Sequence, residues 1–89
     1  MDKNVIIKKQ IKCRIRKIRE RYILIGLNKC YEINSIGKHI WGVIDGEKSV
    51  GEIISTIQNE YDMDHAIIER DTCAFLESLL SINAITMVS

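Results

Sequence analysis

Eighty-nine residues make a single domain, and a chain this short buries only roughly 60–65% of the surface its unfolded form exposes, leaving little room for an enclosed active site. With 46% hydrophobic residues, 28% charged residues and no proline, the composition is globular, and no apolar run reaches the ~18 residues that a membrane span needs. The net charge of +1 hides a division: residues 1–21 carry nine basic and two acidic residues, the remainder four basic and ten acidic. Such a division suits either a nucleic-acid arm or a polarised binding surface.

Residues 1–10 read as a flexible N-terminal lead-in, and 11–89 as the folded domain. Ile11, Cys13 and Ile15 alternate with Lys12, Arg14 and Arg16, the period-two pattern of a half-buried strand with a basic outer face. Ile7, Ile11, Ile15 and Ile18 would also fit a basic amphipathic helix. The strand is preferred because β-branched residues dominate and the next segments are extended. Tyr22 to Leu27 (Y-I-L-I-G-L) is a continuous apolar run, which suits a strand covered on both faces. Asn28-Lys29 marks a tight turn, since Asn tolerates positive φ. Cys30 to Ile33 returns as a third strand, with Tyr31 and Ile33 on one face and Cys30 and Glu32 on the other. A three-stranded meander leaves open edges, which also permit an edge-paired or swapped homodimer.

Asn34 or Ser35 caps a first helix. Ile36, Ile40, Val43 and Ile44 fall on one stripe, which Trp41 broadens. Gly46 suits the left-handed position after a helix end. Gly37 and Gly42 each cost roughly 1 kcal/mol inside a helix, which points to a close neighbour or to a frayed helix. Ser49-Val50-Gly51-Glu52 is a capping box, and Val50, Ile53, Ile54, Ile57 and Tyr61 continue at helical spacing. Asp62 or Asp64 caps a third helix to about Ser81, with apolar Ile67, Ile68, Phe75, Leu76, Leu79 and Leu80. Ile85 to Val88 closes as a short strand. The predicted class is α+β, a three-stranded antiparallel sheet followed by three helices.

Chemistry is sparse. Cys13, Cys30 and Cys73 form no C-x-x-C pair, and read as reduced thiols of a cytoplasmic protein. His39 and His65 lack partners at metal-ligand spacing. Asp62, Asp64, Glu69 and Asp71 lack the spacing of a calcium loop. No phosphate loop or nucleophile motif is present, so neither an enzyme nor a cofactor is expected. Three helices with a small sheet also fit a DNA-binding winged helix. Asp64, Glu69, Asp71 and Glu77 against Arg70 alone would repel phosphates from the third helix.

The ordered set Ile33, Asn34, Gly37, Ile40, Trp41, Asp45, Gly46, Ser49, Val50, Glu52 and Ile53 resembles the PqqD-like family. The later F-L-E-S-L-L-S-I-N-A-I also fits that family, and the resemblance spans about residues 11–87. It implies a winged helix-turn-helix, non-catalytic module that binds the leader of a ribosomally made precursor peptide. The leader is expected as an added strand on the third strand, in a cleft walled by the third helix. An open strand edge is physically suited to this role. The expected contacts are Lys29, Cys30, Tyr31, Glu32 and Ile33 on the strand, and Ile68, Asp71, Thr72 and Phe75 on the helix. Stand-alone members of this length are similar to recognition proteins of lasso peptide pathways, which imply a leader peptidase and a cyclase as partners. Other members imply a radical-SAM maturase. No membrane partner is expected, and nucleic acid is disfavoured. Ile15 to Arg21 is more basic than the family pattern requires, which leaves docking of a partner protein open for it.

Overall fold

The computed structural model describes residues 1–88. Its elements run β1 (Ile7–Lys9), β2 (Arg14–Ile18), β3 (Arg21–Ile25), β4 (Cys30–Ile33), α1 (Ser35–Val43), α2 (Val50–Glu60), α3 (His65–Ser81) and β5 (Ile85–Met87). Strands β2, β3 and β4 form an antiparallel meander in that spatial order, and β1 pairs antiparallel with β5 in a separate two-stranded sheet. The α+β class, the three-stranded sheet and the three helices follow the pattern read from the sequence. The helical alternative for residues 7–18 is replaced by two strands.

Each helix starts where a side chain can accept the free N–H groups of its first turn. Asn34 Oδ1 accepts from the Gly37 amide at 2.8 Å, and Asp64 accepts from the Ala66 amide at 2.8 Å. The capping box forms in full, with Glu52 N–H donating to Ser49 Oγ at 3.2 Å and Ser49 N–H to Glu52 Oε1 at 3.0 Å. Helix α1 ends at Val43, earlier than the glycine at 46 suggested, and Gly46 takes its left-handed φ of 82° in the turn that follows. Asp45 organises this turn. Its carboxylate accepts from the Glu47 and Lys48 amides and from Lys48 Nζ, all at 2.8–2.9 Å. Those bonds, the Lys48 side chain first, hold its pKa well below the ordinary carboxylate range.

The core gathers Leu24 from the sheet, Ile40, Trp41 and Ile44 from α1 and its end, and Val50, Ile53, Ile54 and Ile57 from α2. Ile68, Leu76 and Leu79 add from α3, and Ile7, Ala84 and Ile85 from the chain ends. Ile15, Tyr31 and Ile33 pack against it from the inner sheet face.

The N-terminal segment departs from its reading as a lead-in. Ile7 is fully buried, and β1 takes the register Ile7↔Met87, Lys8↔Thr86, Lys9↔Ile85. Upstream, the Val50 amide donates to the Val5 carbonyl at 2.8 Å and the Gly51 amide to the Lys3 carbonyl at 2.9 Å. The segment thus supplies acceptors that the first turn of α2 lacks. Lys3 Nζ also reaches Glu69 on α3 at 2.8 Å. Sequence periodicity cannot register these contacts, because they link groups far apart in the chain.

Two local expectations change as well. Ile11, placed at the start of the first strand, is 96% exposed in the turn before β2. In the β3–β4 turn the Gly26 amide donates to the Lys29 carbonyl at 2.8 Å, which makes Leu27 and Asn28 the central pair. Among the described residues, the non-glycine positions with positive φ are Arg19 and Asn83, not Asn28.

Candidate functional site

Strand β4 is an edge strand, so half of its backbone groups have no ladder partner. Which half follows from the register. Tyr22↔Ile33, Ile23↔Glu32, Leu24↔Tyr31 and Ile25↔Cys30 are paired, and the Gly26–Lys29 bond fixes the phase of the alternating hydrogen-bonded pairs. Leu24 with Tyr31 and Tyr22 with Ile33 therefore exchange bonds inside the sheet. Cys30 and Glu32 direct both N–H and C=O to the open edge. Together they offer two donors and two acceptors to an incoming strand.

Side chains on β4 alternate as the sequence suggested: Tyr31 and Ile33 are half-buried against the core, while Cys30 and Glu32 are exposed. Two shallow depressions bracket the open edge. One, at the C-terminal end of β4, is lined by Asn34, Ile36, Gly37, Ile40, Asp71, Ala74 and Phe75. The other, at the hairpin end, is lined by Leu27, Asn28, Lys29, Tyr31, Ile82 and Asn83. The α3 residues Asp71, Ala74 and Phe75, with Ile82 beyond the helix end, follow the three-and-four spacing of one helical stripe.

Lys29, Cys30, Tyr31, Glu32, Ile33, Asp71 and Phe75 thus lie at the β4 edge or in the depressions beside it. Ile68 and Thr72 do not. They are 2% and 1% exposed and belong to the core, on the stripe that continues through Leu76 and Leu79. The α3 residues that line a depression, Asp71, Ala74 and Phe75, sit about one face round the helix from those two. Ala74, Ile82 and Asn83, which the sequence reading did not name among the contacts, also line these depressions. Their signal was the phase of α3: once Ile68, Thr72, Leu76 and Leu79 are assigned inward, the next stripe is fixed.

Gly37 bears directly on this wall. A Cβ there would stand 3.1 Å from Phe75 Cε1 and 3.2 Å from Asn34 Oδ1, so the glycine admits the Phe75 ring. Gly42, by contrast, has nothing within 4 Å of such a Cβ. At the end of α3, Asn83 takes φ 61° and the Ala84 amide donates to the Leu79 carbonyl at 2.9 Å, closing the helix beside the hairpin end of the cleft.

The sequence profile of the family described as "Coenzyme PQQ synthesis protein D (PqqD)" matches residues 20–85, about three quarters of the chain. The chain belongs to the PqqD family. Among relatives in this family is the "PqqA binding protein" of Gluconobacter oxydans (strain 621H), 29% identical over 69 residues, which are 78% of this chain and 72% of that one. Another is the "Bifunctional coenzyme PQQ synthesis protein C/D" of Methylorubrum extorquens (strain AM1), 25% identical over 69 residues. There the match spans 78% of this PqqD-family chain and only 18% of the longer protein.

Two solved structures superpose on the fold. TbiB1, in complex with the TbiA(β) leader peptide, has a TM-score of 0.71 at 25% identity, covering 88% of this chain and 93% of that one. The PqqD truncation of Methylobacterium extorquens PqqCD, described as a functional and stand-alone RiPP recognition element, has a TM-score of 0.73 at 23% identity. Its coverage is 92% of this chain and 88% of that one, and at that identity the likeness concerns the fold.

Two further side chains, His39 and Lys9, have local partners. His39 Nδ1 bonds the Tyr61 hydroxyl and lies 3.8 Å from a Glu60 carboxylate oxygen, which ties α1 to the end of α2. Lys9 Nζ stands 5.3 Å from the centre of the Trp41 ring. Among the described residues, no three His, Cys, Asp or Glu side chains gather as a metal site, and no helix is long and apolar enough to cross a membrane.

Proposed function

We infer that this chain is a peptide-recognition module that binds the leader region of a ribosomally synthesised precursor peptide. The leader adds as an antiparallel strand on β4. The observation that carries the reading is the open β4 edge, whose Cys30 and Glu32 ladder groups face outward between two depressions bordered by α3. Backbone bonds give affinity that tolerates sequence variation, and the depressions select alternate side chains. Contacts are assigned to Lys29, Cys30, Tyr31, Glu32 and Ile33 on one side, and to Asp71 and Phe75 on the other. Family membership supports the reading, as do a relative named for binding PqqA and a leader complex of TbiB1.

The module itself is non-catalytic and works in the cytoplasm, presenting the leader to processing enzymes. A leader peptidase and cyclase of the lasso peptide type are the assigned partners. A radical-SAM maturase is the alternative, supported by a family and a relative named for PQQ synthesis. In a winged helix-turn-helix reading of the fold, α3 would be the element that meets DNA. Its Asp64, Glu69, Asp71 and Glu77 oppose Arg70 alone, which disfavours duplex binding. A homodimer paired through β4 would occupy the same edge and compete with the leader.

Titration with the leader encoded beside this chain tests the reading. Saturable binding is expected, and none at up to about 50 μM, which corresponds to roughly −6 kcal/mol, refutes it.

A further inference from the structure

The apolar run in β3 suits a strand covered on both faces, yet the helices cover one. Leu24 is buried beneath them, whereas Ile23 and Ile25 point to the opposite side and lie outside the packed core. The register sets Ile23 between Arg16 and Glu32, and Ile25 between Arg14 and Cys30. Ile18, 52% exposed, and Arg21 complete this face at the hairpin. A solvated antiparallel face ordinarily alternates to polar residues along its central strand. Here the central strand is aliphatic, and arginines flank it.

We propose that the outer face of the β2–β3–β4 sheet is the docking surface for the enzyme that processes the captured leader. The partner surface is apolar with an acidic rim. Three features select this occupant. The charge is one-sided: Glu32 lies 3.7 Å from Arg21, while Arg14 and Arg16 make no ion pair among the described residues. A second copy docked face to face about a two-fold axis across the strands would set these arginines against their own kind, and about an axis along the strands would offer them only Glu32, which already faces Arg21. The patch is also small. Three strands about 4.8 Å apart and five residues at about 3.3 Å each give roughly 15 Å on a side, below the ~800 Å² per partner of a standard interface, so the contact is transient. Finally, the patch is continuous with the leader site. A leader strand on β4 widens this same sheet and adds its own outward side chains, so a docking enzyme meets a different surface when the module is loaded. This last point rests on the strand-addition reading given above.

The test uses the full chain, its leader and precursor, and the processing enzyme encoded beside them. Two variants are compared with the parent: Arg14→Glu with Arg16→Glu, and Ile23→Thr, which keeps a β-branched residue in the strand. Thermal melts establish that each folds. The expected result is leader affinity within twofold of the parent, together with precursor turnover at least tenfold slower at low enzyme concentration. Raising the enzyme concentration should restore turnover. Unchanged turnover in both variants overturns the proposal. So does a fall in leader affinity that matches the fall in turnover, because the patch would then belong to the leader site. Charge-dependent binding of phosphatidylglycerol vesicles or a DNA duplex, with turnover intact, also overturns it. Failure of the leader-binding reading shows separately, as a parent protein that does not bind leader, and it removes this proposal too.

Discussion

Glu32→Pro isolates the strand-addition mechanism. Glu32 points its N–H out of the sheet, so a proline ring there removes an edge donor and leaves the β3–β4 ladder whole. The side chain contributes little, since among the described residues its only ion partner is Arg21 at 3.7 Å, with both groups exposed. A guest strand could exchange four bonds with Cys30 and Glu32. The substitution deletes one and turns a guest carbonyl toward a ring that cannot donate. A net hydrogen bond is worth about 1 kcal/mol, and an unsatisfied group raises the loss to as much as about 3 kcal/mol. Leader affinity should therefore fall roughly 5- to 150-fold, as read by calorimetric titration. Glu32→Ala is the control, expected within about twofold of the parent because it keeps the N–H. Tyr31→Pro provides the contrast. The Tyr31 amide is used inside the sheet, so that variant should melt much lower than the parent before any effect on binding is reached. Equal leader affinity in Glu32→Pro and Glu32→Ala would refute strand addition at β4.

Gly42→Ala meets no neighbour and should stabilise the fold by about 0.5–1 kcal/mol, raising Tm by several degrees. Gly37→Ala should show no such gain, because its Cβ presses on Phe75; the displaced ring should also weaken leader binding in the same titration. Deleting residues 1–5 removes the Val5 and Lys3 carbonyls from the first turn of α2, and should cost about 1–3 kcal/mol in a denaturant melt with leader affinity retained. The Asp45 carboxyl has a lower pKa in the fold than its ordinary 3.8, so its contribution to stability is present above that pH and lost as pH falls below it. The difference in Tm between the parent and Asp45→Asn should accordingly narrow below about pH 4, and a constant difference would contradict the assignment.

Much of this architecture is legible because the signals are local. The Ser49–Glu52 box, the Asn34 and Asp64 caps, and the alternation of Tyr31 and Ile33 with Cys30 and Glu32 are each set within four residues. What stayed hidden depends on contacts distant in sequence. Ile7 looks isolated until Ile85 and Met87 return beside it, and the Lys3 and Val5 carbonyls have no sequence signature as caps. The strand Cys30–Ile33 was placed as an element, but the ladder phase that distinguishes Tyr31 from Glu32 comes from one turn hydrogen bond. The inclusion of Ile68 and Thr72 in the wall has a similar origin. Helix α3 carries apolar residues on two adjacent stripes, and only packing tells the one facing the core from the one facing the cleft. The continuous apolar run in β3 was informative in an unforeseen way, since it describes both faces of a strand of which the helices cover one.

The shortness of β4 has a consequence for what can be attached to a bound peptide. Four residues at about 3.4 Å each span roughly 14 Å, so on the strand-addition reading only some five guest residues are held. An antiparallel guest must enter beside Ile33 and leave past Lys29 and the hairpin turn. Everything C-terminal to the held segment then projects beyond the turn, unread and free to vary. One small protein of this shape could therefore serve precursors whose downstream sequences share nothing but the distance to the held strand.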